Sequence, residues 1–567
     1  MHNIIGYTED TQSLEGILNL LKDEYHFTKK QIASKRLEKY APEISAVFSR
    51  YNRKSTDTTM MVKGPRKSSQ TSQNRKTHQE NVADIAAQIA TKLKMNVEIV
   101  RIIAKNHDLR HTFLGHSGEW WLSNIKENDG TGYYVHNALG ARDLIYREEI
   151  YNKIIDKIQA HNPNISEKRL SQIRNSLWLL IEPINSHNGE RGTEFMPVSQ
   201  KTHRDFEEEI LYCHTKKDFD KTIMPATPEG CLMRLSDIIS YVPFDMVAGI
   251  EEGFIKGLNQ EYTQALYRIG ISEQELLECA IKGNYDDIAY KMQTIFINDV
   301  IANSTQRVIT MSPNVARSLK SFRNINNRQI VNFVVLEEDI ETYPPALNQL
   351  SNTFKDIILE NNLLERLSNA NLDMNINSEL ETKYKDTPYM GFIRYICMTT
   401  KSDFDFTTKM IDQATRQSVE DELDRARDIV VNSKSFTPDP NFPDRDSRIE
   451  MYISYYRQLD EQGKLSKKQY TNANRSQDIS NIMESISYGK KKLNFLSFDE
   501  RIAKEMGLKY LSSLNDREFF DLLLKTKIVT PEQFDSLTRK YKDIDLQKEV
   551  HVQEKWKKVS AEQEQSK

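Results

Sequence analysis

Apolar positions recur at three- and four-residue spacing along most of this chain, a pattern that predicts helices almost throughout. Residues 12 to 50 read as short amphipathic helices, with Leu14, Ile17, Leu18 and Leu21 on one face. From His78 onward the stripe strengthens: Val82, Ile85, Ile89 and Leu93 share one face, and Val97, Val100 and Ile103 begin another. Helices are expected to continue to about residue 430. Two stretches interrupt the pattern. MVKGPRKSSQTSQNRK, residues 61 to 76, has the Gly, Pro, Ser, Gln and basic residues of a flexible loop, and SKSFTPDPNFPDRD, residues 433 to 446, holds prolines that no helix interior accommodates. The predicted organisation is all-α: a helical N-terminal extension (1–60), a core (61–432), a linker (433–446) and a helical C-terminal accessory region (447–567) whose polar end frays.

Composition agrees with that picture and narrows the function. A chain of 567 residues is long enough for two or three compact units, and 38% hydrophobic with 28% charged residues suits a helix-dominated protein. A net charge of −4 argues against dedicated binding to bulk nucleic acid or to an anionic membrane, while leaving room for a local basic pocket. Cys213, Cys231, Cys279 and Cys397 are scattered and form no CxxC pair, so neither a disulfide framework nor a thiolate zinc site is indicated. The N-terminus carries acidic residues where a signal peptide needs an apolar stretch, and no apolar run is long enough to span a bilayer. A cytoplasmic, unanchored protein is the expectation.

Of twelve histidines, five (His78, His107, His111, His116 and His136) fall between residues 78 and 136. His78 precedes Val82 by one turn, and His107 follows Ile103 by one turn, so both point to the core side of their helices. Taken singly, each is as well explained as a satisfied core histidine. Asp108 changes the balance, because an unpaired carboxylate at the end of an apolar helix is expensive to bury and a divalent cation offsets that expense. Imidazole and carboxylate together suit Mn, Fe, Co, Ni, Mg or Zn, and the residues alone do not choose among them. A further ligand is expected in TPEGCLMRLSDIISYVPFD, where Thr227 can cap a helix opened by Pro228 and Asp237 falls among inward-facing Leu232, Leu235 and Ile239.

The segment HDLRHTFLGHSGE, from His107 to Glu119, resembles the HDxGHxPFGHxGE motif of the HD-domain deoxynucleoside triphosphate triphosphohydrolases. It matches at His107, Asp108, His111, Gly115, His116, Gly118 and Glu119, and departs at Arg110, where the family has glycine, and in TFL. NRKTHQENV around His78, VHNALGARDLI at His136, SHNGE at 186 to 190, LSDIISY at 235 to 241, SLKSFRNINNRQI and YICMTTKSDF are similar to further family elements in the same order. The resemblance covers roughly residues 70 to 415 and leaves the C-terminal part without a counterpart.

The resemblance implies an HD-domain helical core with one divalent ion per site (Mn, Mg, Co, Fe or Ni) held by His78, His107, Asp108 and Asp237. It implies His116 and Glu119 as a catalytic pair, with His111 beside them, and Arg75 and His136 as phosphate contacts. Tyr241, one turn after Asp237, would meet the sugar and help exclude a ribose 2′-hydroxyl. His187 reads as structural. Ser117-Gly118-Glu119 opens a helix whose backbone N–H groups would face an anion. The implied reaction converts a 2′-deoxynucleoside triphosphate, dGTP-like, to deoxynucleoside and inorganic triphosphate. The alternatives are an HD phosphodiesterase or nucleotidase acting on another nucleotide, and a catalytically inactive nucleotide sensor. Relatives commonly form homo-oligomers, and SYGKKKLNFLSFDERIAKEMGLKYL offers a basic and apolar surface for single-stranded nucleic acid or another partner.

Overall fold

The computed structural model describes residues 24–51, 75–187, 195–251, 260–272, 274–275, 278, 285–326, 337–369, 374–432 and 496–530. The stripe at Leu14 to Leu21, the loop up to residue 74 and the 433–446 linker lie outside the described residues. Within them the protein is all-α apart from one short antiparallel ladder, β1 (Phe195–Pro197) against β2 (Val308–Thr310), with Phe195 opposite Thr310. No described helix is long and apolar enough to cross a membrane.

Fifteen helices build or brace the site. They are α1 (Glu24–Glu38), α2 (Ala41–Phe48), α3 (Arg75–Lys92), α4 (Val97–Asn106), α5 (Gly115–Asn128), α6 (His136–Arg142), α7 (Trp178–Asn185), α8 (His203–Thr215), α9 (Pro228–Glu251), α10 (Tyr285–Asn303), α11 (Pro313–Asn326), α12 (Glu337–Glu360), α13 (Lys401–Asn432), α14 (Phe498–Ser512) and α15 (Asp516–Lys525). Arg75 and Lys76 belong to helix α3 and not to a loop, and the Arg75 side chain is buried against Asp108.

Local chemistry fixes where the ligand-bearing helices start. The Asn96 side chain accepts from Ile99 N at 3.2 Å and opens α4. Thr227 Oγ1 accepts from Gly230 N at 3.1 Å and opens α9 as the sequence predicts. The chain entering α9 is tied to α7, since Ala226 N donates to the Glu182 carboxylate at 2.8 Å.

Packing then places the site at a seam between two apolar clusters. Val82 and Ala83 of α3, Ile99, Ile102 and Ile103 of α4 and Met233 of α9 belong to the larger core; Ile85, Ile89, Val100, Leu232, Leu235 and Ile239 of the same three helices belong to the second, with α10 and α11. Each such fully buried aliphatic side chain contributes roughly 1.5–3 kcal/mol, so the seam is held from both sides. Helix α14 is no surface appendage. Its residues Ile502 to Ser512 are buried, and Ala503, Met506, Leu508 and Leu511 sit in the larger core with residues of α4, α5 and α12.

Candidate functional site

His78 reaches the seam from α3, His107 caps the C-terminal end of α4, Asp108 follows it, and Asp237 comes from the third turn of α9. His78 Nε2 lies 3.0 Å from Asp237 Oδ1 and 3.7 Å from Asp108 Oδ2; His107 Nε2 lies 3.5 Å and 3.4 Å from the same two oxygens. Atoms bound at about 2.1 Å to a common ion stand about 3.0–3.4 Å apart, so these four converge close to ligand spacing.

The imidazoles are also oriented for a cation. His107 Nδ1 donates to Ala104 O at 2.7 Å, and His78 Nδ1 contacts Ser240 Oγ at 3.2 Å, whose own proton goes to Asp237 O at 2.7 Å. Each Nδ1 is thereby fixed as an N–H, and each Nε2 is turned toward the carboxylates. His107 Nε2 is buried without a hydrogen-bond partner, which is the orphaned atom a cation would satisfy. The His/Asp cluster can hold a metal ion.

Electrostatics follow from burial and from these neighbours. Burial lowers the proton affinity of His78. Burial also works against a proton on His107, yet Asp108 and Asp237 hold its pKa up at about 10. Against its own burial, Asp108 is kept well below the ordinary carboxylate range, first by Arg75 and then by His107. Asp237 is likewise held low against burial, chiefly by His107.

Asp108 is the hinge between this cluster and a second one. Its Oδ2 accepts from Arg75 at 2.5 Å, while Oδ1 lies 3.5 Å from His136 Nε2 and 3.6 Å from His187 Nε2. His136, at the start of α6, donates from Nδ1 to Glu119 at 2.9 Å, and its backbone N–H meets the same oxygen at 3.1 Å. Despite burial, Glu119 and Asp108 raise its pKa to about 10, which favours the imidazolium. The His111 ring lies 4.6 Å from that of His136. His111, Glu119 and His136 form a second group with metal-ligand spacing.

His187, read from the sequence as structural, belongs to the same assembly. Its Nδ1 donates to Ile184 O at 2.6 Å, its ring packs 5.1 Å from that of His107, and its Nε2 is 3.1 Å from His136 Nε2. The only local hint was the apolar run WLLIEPIN, ending two residues before it, which foretells burial but not this placement. Tyr241 follows Asp237 by one turn and is half-buried against the second core. His116 is the second residue of α5, and its side chain lies outside the described residues.

The turn that opens α5 is tight. Leu114 and Gly115 both have positive φ, 53° and 58°. For Leu114 that conformation costs roughly 1–2 kcal/mol. Gly118 is required by close approach, since a Cβ there would stand 2.1 Å from Phe113 O. The turn is braced from α15: Leu114 N donates to Asp516 Oδ1 at 2.8 Å, and Phe113 stacks on Phe519 with centroids 3.8 Å apart.

Beside Asp108 opens a cavity of about 380 Å³. Arg75, Arg110, His111, Asp143, Arg147 and Tyr395 line it, with Arg50 and Tyr51 after α2 and residues 512–515 after α14. Asp143 and Arg147 are aimed there by a π-helical turn, Asp143–Arg147, that continues α6. Arg75 is buried, and its Nε and second terminal nitrogen make no hydrogen bond. None of Arg110, Arg147 and Tyr395 was singled out as a site residue by sequence; for Arg110 the signal was its departure from the motif.

Whole-sequence comparison agrees with the motif. No family model matches the chain. It is 27% identical over 240 residues to a deoxyguanosinetriphosphate triphosphohydrolase-like protein of Rickettsia bellii, covering 42% of this chain and 51% of that one. It is 27% identical over 296 residues to the protein of that name from Geobacter metallireducens (51% and 61%), and 26% over 267 residues to the one from Rickettsia felis (46% and 59%). The chain thus spans between about half and three-fifths of the length of these relatives. By sequence, this all-α chain is similar to the deoxyguanosinetriphosphate triphosphohydrolase-like proteins, the family to which its His107-to-Glu119 motif also points.

Proposed function

We propose that the protein is a metal-dependent hydrolase of 2′-deoxynucleoside triphosphates, dGTP-like, releasing deoxynucleoside and inorganic triphosphate. The observation that carries this reading is the convergence of His78, His107, Asp108 and Asp237 close to ligand spacing beside an arginine-lined cavity. Bound by these four side chains, a divalent cation (Mn, Mg, Co, Fe or Ni) supplies Lewis-acid polarisation of the phosphate and activation of water.

The remaining chemistry belongs to the chain's own residues. Arg75, tied to Asp108 by one terminal nitrogen, offers its other guanidinium N–H groups to phosphate oxygens. His136, protonated against Glu119, keeps a positive charge and an Nε2 proton beside Asp108, where it neutralises charge developing on the departing 5′ oxygen. His111, packed on His136, shares that wall. His116 stands three residues before Glu119 on α5 and joins it in catalysis on the strength of the motif. Tyr241 is assigned to the sugar on the same basis.

The test is chromatography of the products formed from each deoxynucleoside triphosphate with Mg, Mn or Co, alongside Asp108→Ala. Intact inorganic triphosphate supports the reading. Monophosphate or single orthophosphate indicates a phosphodiesterase or nucleotidase instead, and binding without turnover under every metal indicates a sensor.

A further inference from the structure

Behind the cavity lies a cluster of charge with no part in the ligand set. Arg110 Nε donates to Asp143 Oδ2 at 2.8 Å, and the other oxygen of Asp143 faces Lys509 Nζ at 3.1 Å. Lys509 also pairs with Asp403, which collects Arg142 at 3.3 Å and Arg147 at 3.6 Å. Arg142 continues to Glu505 at 3.7 Å, and Lys126 binds Glu505 at 2.8 Å. Five cations share three carboxylates, and every member except Arg110, whose side chain is 18% exposed, is almost closed to water. Neighbouring carboxylates narrow the difference without closing it: Glu148 at the cavity edge acts on Arg110 but is shared with Lys153, and Asp108 is paired with Arg75. Positive charge in excess of its partners is costly in such surroundings, and that cost falls when an anion enters.

The cavity is where an anion can enter, because Arg110, Arg147 and Tyr395 line it. A second, independent feature points the same way. The Tyr395 hydroxyl is buried with no hydrogen-bond partner, beneath the Arg147 guanidinium 3.6 Å from its ring. Such a phenol is a donor waiting for an acceptor oxygen.

We propose that Arg110, Arg147 and Tyr395 form an anion subsite for the polyphosphate of the substrate, and that Lys509 of α14 keeps it positive by occupying the two carboxylates that would otherwise neutralise these arginines. That the anion is the substrate's polyphosphate rests on the hydrolase reading above; the subsite itself rests on charge and geometry. Neither key position follows from the motif: Arg110 stands where the similar family has glycine, and Lys509 lies in the part of the chain without a counterpart.

The experiment uses the full chain and inorganic tripolyphosphate, titrated calorimetrically in EDTA so that no metal bridges it, and separately Mn²⁺ alone. Arg110→Gln should weaken tripolyphosphate binding tenfold or more, and Arg110→Lys by less, because the charge stays while the planar fork is lost. Lys509→Met should weaken it comparably and Lys509→Arg should restore it, which separates charge from packing. Mn²⁺ affinity should stay within twofold throughout, and with a deoxynucleoside triphosphate Arg110→Gln should act through KM more than kcat. Tripolyphosphate binding unchanged by Arg110→Gln, or Mn²⁺ affinity falling in parallel, overturns the subsite. If the wild-type chain binds tripolyphosphate through Arg110 yet hydrolyses no deoxynucleoside triphosphate, the subsite stands and the hydrolase reading falls.

Discussion

Two buried clusters of charge border one cavity, the first through Asp108 and the second through Arg110, Asp143 and Arg147, and they are built to opposite rules. In the first, Asp108 and Asp237 face the Nε2 atoms of His78 and His107, whose Nδ1 atoms are already engaged, so the arrangement is completed by a cation. In the second, Arg110, Arg142, Arg147, Lys126 and Lys509 outnumber Asp143, Asp403 and Glu505, so it is completed by an anion. The first is assembled from helices close in sequence, plus α9; the second joins α6 to α13 across 261 residues and α13 to α14 across 106. A metal–nucleotide complex presents both charges at once, which gives a physical reason for the two clusters to share a cavity wall.

Asp108→Ala should break the cation side of the comparison and have the largest effect. It removes a ligand and leaves Arg75 buried without its partner. Mn²⁺ binding should be lost, and release of triphosphate should fall on the order of a thousandfold or more; near-normal Mn²⁺ titration by this variant would disprove the ligand set. Asp403→Ala should separate the clusters instead. Lys509, Arg142 and Arg147 then lose a common carboxylate, so stability to urea should drop by about 3–5 kcal/mol. Hydrogen exchange along α14 should quicken while Mn²⁺ affinity holds. A loss under about 1 kcal/mol would mean that the apolar residues of α14, and not its charges, hold it in place.

The two clusters also differ in what a reader of the sequence could see. His78, His107 and Asp237 sit on helical stripes of Val, Ile and Leu, so local periodicity alone turns them inward. Asp108 is found by being a carboxylate where none is comfortable. The helix start at Thr227 is equally local, since the capping side chain acts within three residues. His187 could not be placed, because its role depends on how α7 packs against α4 and α6, and no spacing encodes that. The ladder of β1 and β2 was invisible for a related reason: three residues on each side carry no periodicity. Lys509 and Asp403 read as ordinary charged helix residues, and only the tertiary fold reveals that both are buried. What one helix decides was legible; what two distant helices decide together was not.

Between the clusters, the turn opening α5 offers a smaller test. Gly118→Ala places a methyl group against Phe113 O, which cannot yield because Phe113 is stacked on Phe519. Stability should fall by about 1–3 kcal/mol. Turnover should fall with it, because Glu119 follows directly and holds His136. Equal turnover in Gly118→Ala and wild type would show that the turn has slack, and that α15 braces it without consequence for the site.

The smallest expected effect sharpens the cation side alone. Asp108 and Asp237 outweigh burial and raise the His107 pKa to about 10, whereas burial lowers that of His78. A cation therefore displaces a proton from His107 but not from His78 at neutral pH. The sign follows: below the raised pKa each lost unit of pH makes that proton harder to expel, so Mn²⁺ affinity should rise about tenfold per pH unit between pH 6.5 and 8.5. Calorimetry in two buffers of different ionisation enthalpy should register about one proton released per ion. Asp237→Asn removes one of the charges that hold the proton, so it should flatten the slope even as it weakens binding. A flat profile in the wild type would mean that His107 is already neutral, and that the carboxylates around it are balanced by something other than its charge.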